Sequence, residues 1–224
     1  MPGSQTLLLI LIPCAYFLGA VPFGLLVGFA KGIDVRTVGS GNIGATNVAR
    51  LLGKKFFFLV FFLDFMKSFA PMAVASWIVW HIPGADRTWQ IYMMWLGVGL
   101  AAVLGHMFSI FLRFKGGKGV ATSAGVMLGL IPYYTWPGLV GVVVFLIAFF
   151  ATRYISVGSM AGALSFPILY FVIGRAKDWP VTREQAPLLI FAILMALLIV
   201  WKHRGNIARR MQPPARRMQT FPWS

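Results

Sequence analysis

Phe56-Phe57-Phe58-Leu59-Val60-Phe61-Phe62-Leu63-Asp64-Phe65-Met66-Lys67-Ser68-Phe69-Ala70-Pro71-Met72-Ala73-Val74-Ala75-Ser76-Trp77-Ile78-Val79-Trp80 is an almost unbroken apolar run. At roughly 1.5 Å per residue, a helix of that length crosses the ~30 Å hydrocarbon core of a bilayer. Asp64 and Lys67 interrupt it at i, i+3, a spacing that puts both on one helix face. Charges at such depth are costly and usually pair or line a cavity. A structural ion pair is the expectation for them, with direct chemistry the alternative.

Working outward, further apolar runs cover Thr6 to Ala30, Ile91 to Leu112, Gly119 to Ile131, Trp136 to Ala151, Ser159 to Gly174 and Ala186 to Trp201. The pattern predicts an all-α, polytopic integral membrane protein with seven transmembrane helices. The first is expected to bend at Pro13 and Pro22 and to be retained, since no basic segment precedes it as in a cleaved leader. The run from Gly119 is short and rich in small residues, which permit close helix packing. Merging it with the next run would leave six spans.

Composition supports this class. Of 224 residues 59% are hydrophobic and 11% charged, too few charges to cover a soluble domain. Residues 1–210 form one membrane-embedded domain, and 211–224 read as a basic, disordered cytoplasmic tail. The single cysteine, Cys14, excludes an internal disulfide. His81, His106 and His203 fall in separate segments, so no metal and no cofactor are expected. The net charge of +15 is not the continuous basic face of a nucleic-acid protein, because the cations sit between apolar runs. With the N-terminus outside, fifteen Lys and Arg lie on the inner face and four on the outer. That asymmetry places the C-terminus in the cytoplasm.

Three glycine-and-cation patches then share the cytoplasmic face. The first is Gly39-Ser40-Gly41-Asn42-Ile43-Gly44-Ala45-Thr46-Asn47 with Arg50. The second is Phe114-Lys115-Gly116-Gly117-Lys118-Gly119, and the third is His203-Arg204-Gly205-Asn206. Backbone amides, hydroxyls and cations are the partners a phosphate oxygen needs, and arginine adds a planar fork. Nine polar and small residues in a row exceed what a turn requires. The second patch lacks the first glycine and the Ser/Thr of a nucleotide-binding loop, but it feeds a helix N-terminus at Val120 with two lysines. His203 and Asn206 share a face if the last helix continues, and an imidazole can accept a proton near neutral pH. Read alone, each patch also fits a positive-inside turn or an interfacial anchor. His106, inside the third run, reads first as a structural hydrogen-bonding residue. Ser156 and Ser159 lie near the same face. His81-Ile82-Pro83-Gly84-Ala85-Asp86 matches the His-x4-Asp pattern of thioester-dependent acyltransferases, but it falls on the outer loop, away from every patch.

On the three patches, together with Gly105-His106, Asp64-x-x-Lys67 and Arg153-Tyr154-Ile155-Ser156, the sequence resembles the bacterial acyl-phosphate:glycerol-3-phosphate acyltransferases (the PlsY family). Ser68 and Ser109 stand where that family often has glycine and proline. The resemblance implies a seven-helix inner-membrane enzyme that moves a fatty acyl group from acyl phosphate to the 1-hydroxyl of glycerol 3-phosphate. Its products would be lysophosphatidic acid and phosphate. It implies Ser40, Arg50, Lys118 or Lys115, Ser156, His203 and Asn206 as active-site residues; the composition of the patches adds Gly41, Asn42, Thr46, Asn47, Gly116, Gly117 and Gly119 as expected phosphate contacts. The implied partners are the two substrates, the lipid bilayer and a link to the enzyme that makes acyl phosphate. The rival reading is an organic-phosphate transporter, against which stand the absence of an inverted repeat and the gathering of patches at one face.

Overall fold

The computed structural model describes residues 3–82 and 88–205; Asp86, Asn206 and the tail 211–224 lie outside them. Every regular element among the described residues is helical. The order is α1 (Ser4–Ala20), α2 (Phe23–Phe29), α3 (Ala45–Leu52), α4 (Lys54–His81), α5 (Trp89–Met107), a short 3-10 turn (Ile110–Leu112), α6 (Val120–Gly129), α7 (Thr135–Thr152), α8 (Ile155–Ala176) and α9 (Ala186–Lys202). Five segments are long and apolar enough to cross a membrane: α1–α2 together, α4, α5 with its 3-10 turn, α7 and α8. α6 and α9 are shorter, with 10 and 17 residues.

The first apolar run is two helices rather than one bent helix. Pro13 sits inside α1, but the chain breaks at Val21-Pro22, where proline lacks the N–H a helix would use. A break within an apolar interior frees carbonyls that lipid cannot satisfy. Two side chains take them up: Lys67 Nζ donates to the Val21 carbonyl at 2.7 Å, and Ser109 Oγ to the Ala20 carbonyl at 2.6 Å. Lys67 also pairs with Asp64 at 2.8 Å, so the expected intramembrane ion pair forms, and it braces this break. Ser109, with no proline ring, gains a donor that proline lacks. Ser68 Oγ lies 2.8 Å from the Thr122 carbonyl, joining α4 to α6.

α1 and α5 pack against each other, around a core of Leu8, Met72, Trp95, Val98 and Ala102. The third apolar run stops being α-helical at Met107, five residues before its apolar end. Beyond it the chain doubles back, with the Gly116 and Gly117 amides donating to the Met107 and His106 carbonyls. α6 therefore starts partway along α4 and runs beside its second half. Ser68 meets Thr122, Ser76 meets Gly129, and Trp80 meets Ile131. α3 was not anticipated as a helix. It is short and strongly one-sided, burying Val48 and Ala49 against α2 and α4.

Candidate functional site

The first patch is organised by one side chain. Asn47, at the start of α3, is buried, and its amide is committed to the protein. Its Oδ1 accepts the Ser40 amide at 2.8 Å and Arg50 Nη1 at 3.3 Å, while Nδ2 donates to the Val35 and Val38 carbonyls. Asn47 thus aims Ser40 and Arg50 rather than offering itself to a ligand. Asn42 Oδ1 accepts the Gly44 amide, closing the turn that starts α3. Asp34, in the loop before the patch, is held by Arg36 at 2.7 Å, and that bond keeps its carboxyl below the usual carboxylate range.

A cavity of about 490 Å³ opens from this patch. One end is polar, lined by Ser40, Asn42, Thr46, Arg50, Lys118, Arg153, Tyr154, Ser156 and His203. The other is apolar, with Met127, Val142, Phe145, Leu146, Phe149 and Ala163 from α6, α7 and α8. Asp64 and His106 also contribute to its wall, His106 Nδ1 standing 3.7 Å from Asp64 Oδ1.

Three helices begin at the polar end. Ala45 and Thr46 open α3, Val120 and Ala121 open α6, and Ile155 and Ser156 open α8, and all six line the cavity. First-turn amides have no helical acceptor, and each N-terminus carries about half a positive charge. None of the three has an acid in its first turn to neutralise that charge. Arg153, in the left-handed conformation that ends α7, turns the chain within two residues and so aims α8 at the same space. The polar end therefore combines three dipole ends with Arg50, Lys118 and Arg153, a site for more than one anionic oxygen.

His203 caps α9 and is buried. Its Nδ1 lies 2.8 Å from the Ile199 carbonyl; that oxygen only accepts, so Nδ1 carries the proton and Nε2 keeps a lone pair. Burial, with the Lys118 charge adding to it, lowers its pKa below the ordinary imidazole value.

Of the sequence-predicted residues, Ser40, Asn42, Thr46, Asn47, Arg50, Lys118, Gly119, Ser156 and His203 come together here, and Asp64 and His106 reach the wall. Lys115, Gly41, Gly116 and Gly117 do not line the cavity. Gly116 and Gly117 face His106 instead. Of the two lysines, Lys118 lines the cavity. Arg153 was quoted in a motif but given no role; a cation just before a helix start, on the same face as the patches, was the available signal. His81 sits at the opposite end of α4 from the first patch, stacked on Trp77.

Helical bundle, cation-rich polar end and apolar trough together define a membrane-embedded protein whose cavity suits an amphipathic, anionic ligand. Residues 9–213 match the family model for glycerol-3-phosphate acyltransferase. Glycerol-3-phosphate acyltransferases of Anaeromyxobacter sp. (strain Fw109-5) and Aquifex aeolicus (strain VF5) are 41% and 43% identical, covering 96% and 90% of this chain and 99% and 94% of their own. Crystal structures of PlsY (YgiH), an integral membrane glycerol 3-phosphate acyltransferase, superpose with TM-scores of 0.76 for its glycerol 3-phosphate form and 0.74 for its lysophosphatidic acid form. Their identities are 41% and 40%; both cover 91% of this chain, and the chain covers 92% and 91% of theirs. The chain belongs to the glycerol-3-phosphate acyltransferase family, enzymes of phospholipid biosynthesis embedded in membranes by several helices.

Proposed function

We propose that the protein transfers a fatty acyl group from acyl phosphate to the 1-hydroxyl of glycerol 3-phosphate, releasing lysophosphatidic acid and inorganic phosphate. The observation that carries this reading is the cavity's division into an end with three helix N-termini and three cations and an end lined by aliphatic and aromatic side chains. Both substrates bring a phosphate, and one brings an acyl chain. The new C–O bond forms between the glycerol oxygen and the acyl carbon, and the bond from that carbon to the phosphate oxygen breaks. Phosphate leaves as a stable anion, so strong acid assistance is unnecessary. Holding the hydroxyl against the carbonyl can then supply as much as ~7–11 kcal/mol of barrier reduction.

In this mechanism Arg50, Lys118 and Arg153, with the Ser40 and Ser156 hydroxyls, hold the two phosphates, as do the amides at the three helix starts. His203 Nε2 accepts the hydrogen bond of the attacking hydroxyl. Asn206 lies outside the described residues; its proposed role, from the family resemblance, is to orient the hydroxyl or stabilise the developing oxyanion. The proton goes to His203 or to a phosphate oxygen of the donor, and His203→Ala decides which. A variant that keeps most of kcat leaves the donor phosphate as base.

The pH dependence follows from the direction of the His203 shift. With a lowered pKa the imidazole stays neutral through pH 7, so kcat/KM should be flat there and fall only below the ordinary imidazole range, as His203 protonates. Lys118→Met removes a repelling charge and should move that acid limb to higher pH. A limb that stays in place in this variant would mean that His203 is not the group being titrated.

The topology belongs to the same proposal: seven crossings, the N-terminus outside, the C-terminus cytoplasmic, and the cavity open to the cytoplasmic face of a bacterial inner membrane. The fifteen-to-four cation asymmetry supports it.

The direct test follows phosphate and thiol release by purified protein given glycerol 3-phosphate with palmitoyl phosphate, palmitoyl-CoA or palmitoyl carrier protein. Phosphate release from acyl phosphate that depends on glycerol 3-phosphate and yields lysophosphatidic acid is the expected result. Turnover of a thioester alone would overturn the choice of donor.

A further inference from the structure

We propose that Lys202 is a positioning residue that holds His203 in register with the Lys118 loop, an inference that rests on the acyl-transfer reading above. Lys202 is the last residue of α9, directly before His203. Its side chain crosses to the C-terminal end of α5, where Nζ donates to the Met107 carbonyl at 3.2 Å and stands 4.1 Å from the centre of the Phe108 ring.

The Met107 carbonyl is shared. It also accepts the Gly116 amide at 3.2 Å, and the preceding carbonyl, of His106, accepts the Gly117 amide at 3.0 Å. Lys118 follows these two glycines into the cavity. One carbonyl thus joins the second patch to the third, although they are about ninety positions apart in the chain. The chemistry suits a cation. The last carbonyls of a helix lack helical partners and carry the negative end of its dipole. An aromatic face beneath the ammonium adds to the attraction.

His203 cannot secure this register by itself. Its Nδ1 bond to Ile199 stays within α9 and fixes the ring only relative to that helix. Lys202 fixes the end of α9 relative to α5 and, through Met107, to the loop that carries Lys118. Misalignment of groups that touch the substrate costs rate more than binding, so the effect belongs in kcat.

The test compares Lys202→Met, Lys202→Arg and Phe108→Leu in the acyl phosphate assay, with thermal midpoints measured alongside. K202M should lower kcat about tenfold with the KM for glycerol 3-phosphate within about twofold, as expected when alignment and not binding is lost. Its thermal midpoint should fall by no more than a few degrees, the scale of one lost hydrogen bond. K202R, which keeps the charge and the donors, should retain most of the rate. F108L, which keeps the ammonium and its acceptor, should show a smaller fall in the same direction. It and K202R carry the test should K202M fail to fold. In a His203→Ala background, K202M should cause no further loss, because residues acting as a unit are not additive. Where H203A is too slow to time, the K202M and K202R pair decides. A wild-type kcat in K202M overturns the role, as does a K202R as slow as K202M, or an equal fold-loss in the H203A background. A wild-type enzyme inert toward acyl phosphate overturns the underlying reading instead.

Discussion

Lys67→Met should destabilise the protein by about 3–5 kcal/mol, the loss seen when one partner of a buried ion pair is removed. Both side chains are almost completely enclosed, at 1% and 4% exposure, so Asp64 would keep only the more distant His106 ring, 3.7 Å away, to offset its charge. The cost is compounded because the same ammonium satisfies the Val21 carbonyl at the break between α1 and α2. The readout is the thermal midpoint of purified protein, expected to fall on the order of 10 °C for a chain of this length. Asp64→Asn combined with Lys67→Met should be less damaging than Lys67→Met alone, since the stranded charge is gone, though the Val21 carbonyl stays unsatisfied. A single variant that melts within a degree or two of wild type would show that the pair is not a structural brace.

Gly117→Ala should lower kcat/KM on the order of a hundredfold, the scale expected when a group at the chemistry is displaced by about 1 Å. A Cβ at this position would lie 2.1 Å from His106 Nε2. The ring is buried, with Asp64 on its other side, and has little room to yield. The segment carrying Lys118 must shift instead. Gly116→Ala should be at least as harmful, because there the added carbon would lie 1.9 Å from the His106 backbone carbonyl. The two differ in how they can be relieved. His106→Ala clears the ring and should restore much of the rate to Gly117→Ala, but it leaves the backbone in place and should do nothing for Gly116→Ala. Steady-state kinetics on the two singles and two doubles checks this. Equal rescue of both, or of neither, would mean that the glycines serve the loop in some way other than by packing on His106.

Those two glycines illustrate what could be read in advance. Their place between Lys115 and Lys118 pointed to phosphate, and of that patch Lys118 and Gly119 line the cavity. The glycines themselves, however, serve close packing, and Lys115 lies away from the cavity. Asn47 was likewise expected as a phosphate contact, yet its amide is used to aim Ser40 and Arg50. Polar residues in a loop reveal that a site exists, because their residue types are poorly explained otherwise. Which of them face the ligand depends on groups that approach from other helices.

The helices themselves were legible for a stronger reason. An apolar run placed in lipid must satisfy every backbone group internally, which leaves a helix as the outcome for Phe56 to Trp80 and its counterparts. Where lipid is replaced by protein that constraint relaxes, and there the reading of the runs failed. The Val21-Pro22 break persists because Lys67 and Ser109 reach it from elsewhere, and α5 ends at Met107 because the 116–117 amides return to its carbonyls. Residue types and their spacing thus determined the all-helical class, the buried ion pair and the three patches, since these follow from local composition and the bilayer. Only the tertiary structure decided that α3, α6 and α8 begin at one cavity, that Arg153 joins Arg50 and Lys118 there, and that His203 presents Nε2. Helix direction and rotation are set by contacts between residues that are distant in the chain, and local composition does not encode them.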